Sequence, residues 1–170
     1  VTTIAAPGSR SLEGLRPVDL RSDLSELADL MELVFSPGMD RAGRDAVREM
    51  RLMSRSGLGA LPGVSDIVQG MGQGYVWVAQ GRLVGNISLF AGGKPGPDTW
   101  LIANVGVHPD YRRRGIGERL LDAGIEAIRR RGGRRALLQA DCDNAPARRP
   151  SARRGFRDAR AWTHWRRARH

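Results

Sequence analysis

The chain has 170 residues, 41% of them apolar, which is enough for one ordinary core; its single cysteine, Cys142, excludes an intramolecular disulfide and a metal cage built from cysteines. No run approaches the roughly 20 uncharged apolar residues that cross a bilayer, and the first ten residues lack the apolar core of a signal peptide, so the cytoplasm is the expected location and a membrane is not an expected partner. The net charge of +10 is uneven: residues 1–100 carry ten basic and eleven acidic side chains, residues 101–170 eighteen and seven, so the C-terminal part favours a polyanion, whether nucleic acid, an acidic membrane surface or a phosphate-rich cofactor. Lys94 is the only lysine, a bias that genome composition explains as readily as function, and no role is read from it.

Taken in chain order, Ser11 to Arg16 suits a first strand. Asp23 to Phe35 places Leu24, Leu27, Leu30, Met31, Leu33 and Val34 at the spacing of a helix with one buried face. Arg44 to Arg55 predicts a second, more polar helix, and the glycine-rich Gly57 to Gly74 predicts mostly loop, a candidate for a mobile acceptor-site segment. Tyr75 to Gln80 and Leu83 to Phe90 read as two antiparallel strands joined by a tight turn at Gly81-Arg82. Two prolines and three glycines make Gly92 to Pro97 a loop. Trp100 to Val107 reads as a strand. Ile116 to Arg131 has helical spacing and stops at Gly132-Gly133, where a C-terminal cap belongs. Ala136 to Asp141 predicts a short strand, Pro146 to Arg154 a short helix that Pro150 can kink and Gly155 ends, and Ala161 to Arg167 a last strand. The order is mixed α/β, without repeats, and is expected to form a single domain over residues 1–170.

The chemistry concentrates in Val105-Gly-Val-His-Pro-Asp-Tyr-Arg-Arg-Arg-Gly-Ile-Gly117, which leads from a strand through a turn into a helix. The first amides of a helix have no internal acceptor, and the helix dipole adds partial positive charge, so an anion is favoured there. Gly115 and Gly117 remove Cβ atoms that would hold a phosphate away from those amides. Arg112, Arg113 and Arg114 add charge, and Glu118 suits the dipole as it would in any helix. An arginine run before a helix is also what a solvated surface looks like, and paired glycines are also what a turn looks like; the preceding strand and following amphipathic helix favour a pyrophosphate site.

Arg112-Arg-Arg-Gly115-Ile-Gly117 matches the signature of the GNAT superfamily of N-acetyltransferases: Gln or Arg, two residues, Gly, one residue, then Gly or Ala. Val107-His-Pro109-Asp-Tyr111 resembles the family's approach to that loop, and Asn144 and Gly155-Phe156 resemble its later landmarks. The resemblance covers residues 75–157 well and the first 70 or so by element order alone. It implies the acyl-CoA N-acyltransferase fold, a mixed, mostly antiparallel central sheet flanked by helices. Residues 1–74 would form acceptor-side helices and loop, 75–157 the acetyl-CoA core, and 158–170 a C-terminal strand. The backbone of Val105, Gly106 and Val107 would pair with the pantetheine arm, Arg112 to Gly117 would hold the pyrophosphate and Asn144 would contact the pantetheine region. Acetyl-CoA is the implied cosubstrate, a primary amine the acceptor, nucleic acid is not an expected partner, and a homodimer is carried over as an expectation.

The amine must be neutral to attack the thioester, the oxyanion must be stabilised, and an acid must assist the leaving thiolate. Where the family commonly has a tyrosine, four residues before Gly-Phe, this chain has Ser151, a weaker acid of shorter reach that suits thiol positioning or a surface helix position. The central strand lacks the usual carboxylate; Asn104 can orient a water or serve the strand alone. Asp141 and Asp143 can accept a proton or end a strand in solvent, His108 suits a turn, and His164 faces either core or cleft. Trp77, Trp100, Trp162, Trp165 and Cys142 suit packing as well as an acceptor pocket. Two other readings stand beside amine acetylation: a coenzyme-binding protein of the same fold with decayed catalysis, and a basic nucleic-acid-binding protein using Arg148-Arg149, Arg153-Arg154 and Arg166-Arg167.

Overall fold

A computed structural model describes residues 13–56, 66–92, 96–138 and 145–157. The chain divides into two compact units, residues 1–139 and 140–170.

Among the described residues, the first unit holds a five-stranded sheet in the order β1-β2-β3-β4-β5, with strands β1 (Gly14–Pro17), β2 (Tyr75–Ala79), β3 (Arg82–Ala91), β4 (Thr99–Val107) and β5 (Arg135–Leu138). The first three pairings are antiparallel and the last is parallel. The expected hairpin is present, with its turn one residue earlier than Gly81-Arg82: Gln80 and Gly81, both at positive φ (53° and 71°), close the two-residue turn that matches strand twist, and Arg82 already pairs with Ala79. Glu13 receives both turn amides, Gln80 N–H at 3.1 Å and Gly81 N–H at 2.8 Å.

One face of the sheet is covered by α1 (Leu24–Phe35), α2 (Arg41–Ser56) and α3 (Asp66–Gly72). Leu24, Leu27, Leu30 and Met31 of α1, with Val47 and Met50 of α2, pack against Val76, Val78 and Leu83 in the core, where the helical period of three to four residues puts them. α3 corrects the expectation of loop throughout Gly57 to Gly74. Its glycines are packing devices: a Cβ on Gly70 would stand 2.1 Å from the Phe90 ring, and Val68 and Met71 are fully buried. Residues 57–65 lie outside the described residues.

The other face carries α4 (Ile116–Arg130), whose Ile116, Leu120, Leu121 and Ile128 are buried. It sits close because β3 offers Gly85 and α4 offers Gly124. A Cβ on Gly85 would press on Leu120 and Ile116 at 3.0 and 3.1 Å, and one on Gly124 would meet Ile87 at 2.7 Å. The helix ends as expected at Gly132-Gly133. Gly132 N–H bonds Arg129 O at 3.0 Å and Gly133 N–H bonds Ile128 O at 2.9 Å, the paired bonds that close a helix on a left-handed glycine.

A buried ion pair fixes the start of α1. Arg16 on β1 grips Asp23 through both guanidinium nitrogens at 2.6 and 2.7 Å, and the Asp19 N–H adds a third bond at 2.8 Å. Burial alone would raise the Asp23 carboxyl, but the Arg16 hydrogen bonds and the Asp19 amide outweigh it and hold it below its ordinary value.

In the second unit α5 (Ala145–Arg153) continues through Pro150, which the sequence reading expected to kink or shorten it, and ends where Gly155 turns left-handed at φ 82°. Phe156 N–H to Ser151 O and Gly155 N–H to Ala152 O repeat the closure seen on α4. The expected strand over Ala161 to Arg167 lies outside the described residues.

Candidate functional site

The site begins where β4 loses its parallel partner. The ladder with β5 runs from Thr99–Arg135 to Ile102–Leu138, and among the described residues it goes no further. Towards β3, a bulge opens between Asn86 and Ser88, opposite Asn104. Asn104 takes the left-handed conformation (φ 52°) that asparagine tolerates better than most residues, and its Nδ2 donates to Ser88 Oγ at 3.2 Å. That bond fixes its amide and leaves Oδ1 as the acceptor it can present.

Past the bulge the strand alternates regularly. His108 N–H bonds Val84 O at 2.8 Å, so Val107, one residue earlier, points its backbone groups away from β3, as Val105 does by alternation. The structure confirms this for Val107, whose carbonyl receives Arg112 Nε at 3.1 Å rather than a β3 amide. Val105 therefore offers an N–H and a C=O on the β5 side, and Val107 an N–H. Gly106 is needed for packing: a Cβ there would touch the Phe35 ring at 3.0 Å and Asn86 Oδ1 at 3.2 Å.

A 3-10 turn (Pro109–Tyr111) then leads to α4. His108 Nδ1 accepts the Asp110 N–H at 3.2 Å, the turn role expected for it. Tyr111 braces the loop: its hydroxyl reaches Gln80 Oε1 at 2.9 Å and its ring lies 5.0 Å beneath the Arg114 guanidinium. Arg114 also donates to Asp110 O at 3.0 Å. Two of the three arginines thus shape the loop as well as charge it, a double use that spacing alone does not reveal. Arg113, at φ 60°, and Gly115, at φ 75°, turn the chain into the helix.

The first helical bond comes from Arg119 N–H to Gly115 O at 3.1 Å, so the Ile116 and Gly117 amides point out of the helix start. Among the described residues, nothing lies within 4 Å of a Cβ built on Gly115, and one on Gly117 would meet only Val107 Cγ2 at 3.6 Å. Packing does not require glycine at 117. Its effect is to keep the approach to these amides clear, and Arg112, Arg113 and Arg114 are all exposed around it. The cradle fits a diphosphate in charge, donors and room.

Val105, Gly106, Val107, Arg112 to Gly117 and Glu118 are thus brought together at the β4–α4 junction, with Asn104 three residues before Val107. Asn144 lies outside the described residues, as do Asp141, Cys142, Asp143, Trp162, His164 and Trp165. Ser151 belongs to α5 and is 6% exposed, not the surface serine a short polar helix suggests. Trp100 is core, and Trp77 lies under Arg119 at 5.4 Å. Sequence reading missed Asn86, 1% exposed, whose Oδ1 has no hydrogen-bond partner among the described residues; a lone asparagine inside the apolar run of β3 is the signal that was available.

The sequence matches the acetyltransferase (GNAT) family over residues 59–156, more than half of the chain, and the chain belongs to that family of acetyl-CoA-dependent acyltransferases. Among curated relatives, the mycothiol acetyltransferase of Clavibacter michiganensis subsp. michiganensis is 42% identical over 64 residues, 38% of this chain and 21% of that protein. That of Saccharomonospora viridis is 37% identical over 78 residues, 41% of this chain and 24% of that protein. The matched part is therefore about a fifth to a quarter of those relatives. Among solved structures, a GCN5-related N-acetyltransferase from Ralstonia eutropha superposes with a TM-score of 0.61 at 22% identity, covering 88% of this chain and 95% of that one. A GNAT family acetyltransferase from Brucella melitensis, solved in complex with acetyl-CoA, gives 0.60 at 20% identity over 85% and 82%. These likenesses establish the fold.

Proposed function

We propose that this protein transfers the acetyl group of acetyl-CoA to a primary amine by direct attack, with no covalent enzyme intermediate. The observation that carries the reading is the open cradle at the start of α4, set beside a β4 edge whose Val105 and Val107 backbone groups face away from β3. The Ile116 and Gly117 amides, with Arg112, Arg113 and Arg114, hold the pyrophosphate. Val105 N–H and C=O and Val107 N–H pair with the amides of the pantetheine arm as an added strand would.

Two residues receive roles in the reaction. Asn104, its Nδ2 held by Ser88, directs Oδ1 at the attacking amine or at a water that carries the amine's proton away. Ser151 positions the thiol as it leaves. The acceptor-side helices over residues 1–74 and the pairing of two copies into a dimer belong to the same reading.

Release of free thiol from acetyl-CoA, followed across a panel of small amines, aminoglycosides, amino acids and peptides bearing a lysine or a free N-terminus, tests it. Saturable release with one amine class is expected, with kcat reduced about tenfold or more in Asn104→Ala while acetyl-CoA affinity holds. Coenzyme binding without turnover on any amine would replace it with the reading of a coenzyme-binding protein that has lost catalysis.

A further inference from the structure

Helix α4 is as basic at its end as at its start. Five arginines fall within seven residues there, Arg129, Arg130, Arg131, Arg134 and Arg135, and all are exposed. The fold uses two of them: Arg130 donates to the Tyr75 hydroxyl at 3.2 Å, and Arg131 donates to Gln73 O at 3.2 Å with its guanidinium 5.4 Å from the Trp100 ring. The side chains of Arg129, Arg134 and Arg135 make no such contact among the described residues, and none of the five has an ion-pair partner there.

The helix dipole accounts for cations in the last turn, Arg129 and Arg130, but fades beyond it. Arg134 and Arg135 stand past the cap, at the entry to β5, held there by backbone bonds to Asp98 O at 2.9 and 3.3 Å. Stability gives no reason for three guanidinium groups without a side-chain contact among the described residues so near two others in the chain, since like charges destabilise one another. Thirteen helical residues, Ile116 to Ile128, separate this cluster from Arg112–Arg114, about 20 Å, more than two Debye lengths at physiological salt. It is a separate field from that of the pyrophosphate cradle.

We propose that this end of α4 is a docking surface for the phosphate backbone of a nucleic acid, with Arg129, Arg134 and Arg135 as the phosphate contacts. Guanidinium forks pair with phosphate oxygens, and a duplex presents one charge about every 1.7 Å along its axis, a density that three clustered cations can engage together. A membrane surface fits less well. A helix docked on lipid buries an apolar face in the interface, whereas the apolar face of α4 is spent on the core and residues 129–135 include no large apolar side chain. These arginines differ from the pairs at 148–167 that suggest nucleic-acid binding in the sequence, and the surface is additional to the coenzyme cradle.

The test is fluorescence anisotropy of the full chain with a labelled DNA duplex of about 20 base pairs over a salt series, with and without saturating acetyl-CoA. The parent is compared with an Arg129→Ala, Arg134→Ala, Arg135→Ala triple variant and the matching Arg→Lys triple. The parent should bind with a steep salt slope that acetyl-CoA leaves unchanged. The alanine triple should lose about tenfold or more in affinity, its slope shallower by about 2.7 for three contacts, and the lysine triple should retain binding. Absent or salt-insensitive binding, equal binding by the alanine triple, or displacement by acetyl-CoA would overturn the proposal. So would a preference for phosphatidylserine vesicles over the duplex. Acetyl-CoA affinity, measured separately on the parent, reports on the acetyltransferase reading alone.

Discussion

The two ends of α4 each carry a pair of glycines, and the second member of each pair meets opposite surroundings. Gly132 and Gly133 serve the fold: one turns left-handed to close the helix, and a Cβ on the other would stand 2.4 Å from Ile128 and 2.6 Å from Trp100. At the start, Gly115 also turns left-handed, but Gly117 has open space before it and only Val107 within ordinary contact. Gly133 is enclosed by protein and Gly117 is not, while the left-handed member of each pair, Gly132 or Gly115, has nothing within 4 Å of a built Cβ among the described residues. The same residue type, read from sequence as a cap or a turn, separates into packed and open positions only once its surroundings are known.

Substitutions can break that comparison, and of the two ends the packed one carries the larger effect on stability. Gly133→Val forces Ile128 and Trp100 apart and should destabilise the protein by about 1–3 kcal/mol, seen as a lower midpoint in urea at unchanged acetyl-CoA affinity of the folded fraction. Arg16→Ala leaves the buried Asp23 carboxylate without its main partner and should cost about 2–3 kcal/mol at pH 7, below the full cost of a deeply buried pair because Arg16 is partly exposed. Asp23 has its folded pKa lowered, so the stability it contributes is present above its ordinary value of 3.8 and is lost as pH falls through and below it. Unfolding midpoints between about pH 7 and pH 3 should accordingly drop more steeply in the parent than in Asp23→Asn.

At the open end the sign reverses. Gly117→Ala should leave stability unchanged or raise it by about 0.5–1 kcal/mol, since alanine is the better helix residue, while acetyl-CoA binding weakens; thermal melts and titration on the same samples separate the two effects. The smallest effect belongs to Asn86→Leu. Removing an acceptor without a partner should shift stability by no more than about 1 kcal/mol in either direction, which denaturant unfolding can measure.

Much of the fold was legible because its signals are local. The β2–β3 hairpin, the period of α1 and the Gly132-Gly133 stop were readable from a few residues each. α3 was not, because Gly70 and Gly72 look like loop residues until the Phe90 ring is seen against Gly70, a contact across 20 residues of sequence. The bounds of α2 were set too narrowly, at Arg44 to Arg55 rather than Arg41–Ser56, since its exposed ends carry no apolar marker. The candidate site was legible in its loop, where charge, glycines and a helix start coincide within six residues. What spacing could not supply was the division of labour there: Arg112 and Arg114 bind the loop's own carbonyls, and Asn104 is tied to Ser88 across the bulge. Long-range partners decide those roles.

The central claim is that the start of α4 holds the diphosphate of acetyl-CoA. Isothermal titration of the purified protein with acetyl-CoA, repeated on a variant carrying Arg114→Ala and Gly117→Glu, tests it most directly. The account predicts saturable one-site binding by the parent that the variant loses while its thermal melt stays cooperative. Equal binding by a folded variant, or none by the parent, would contradict it.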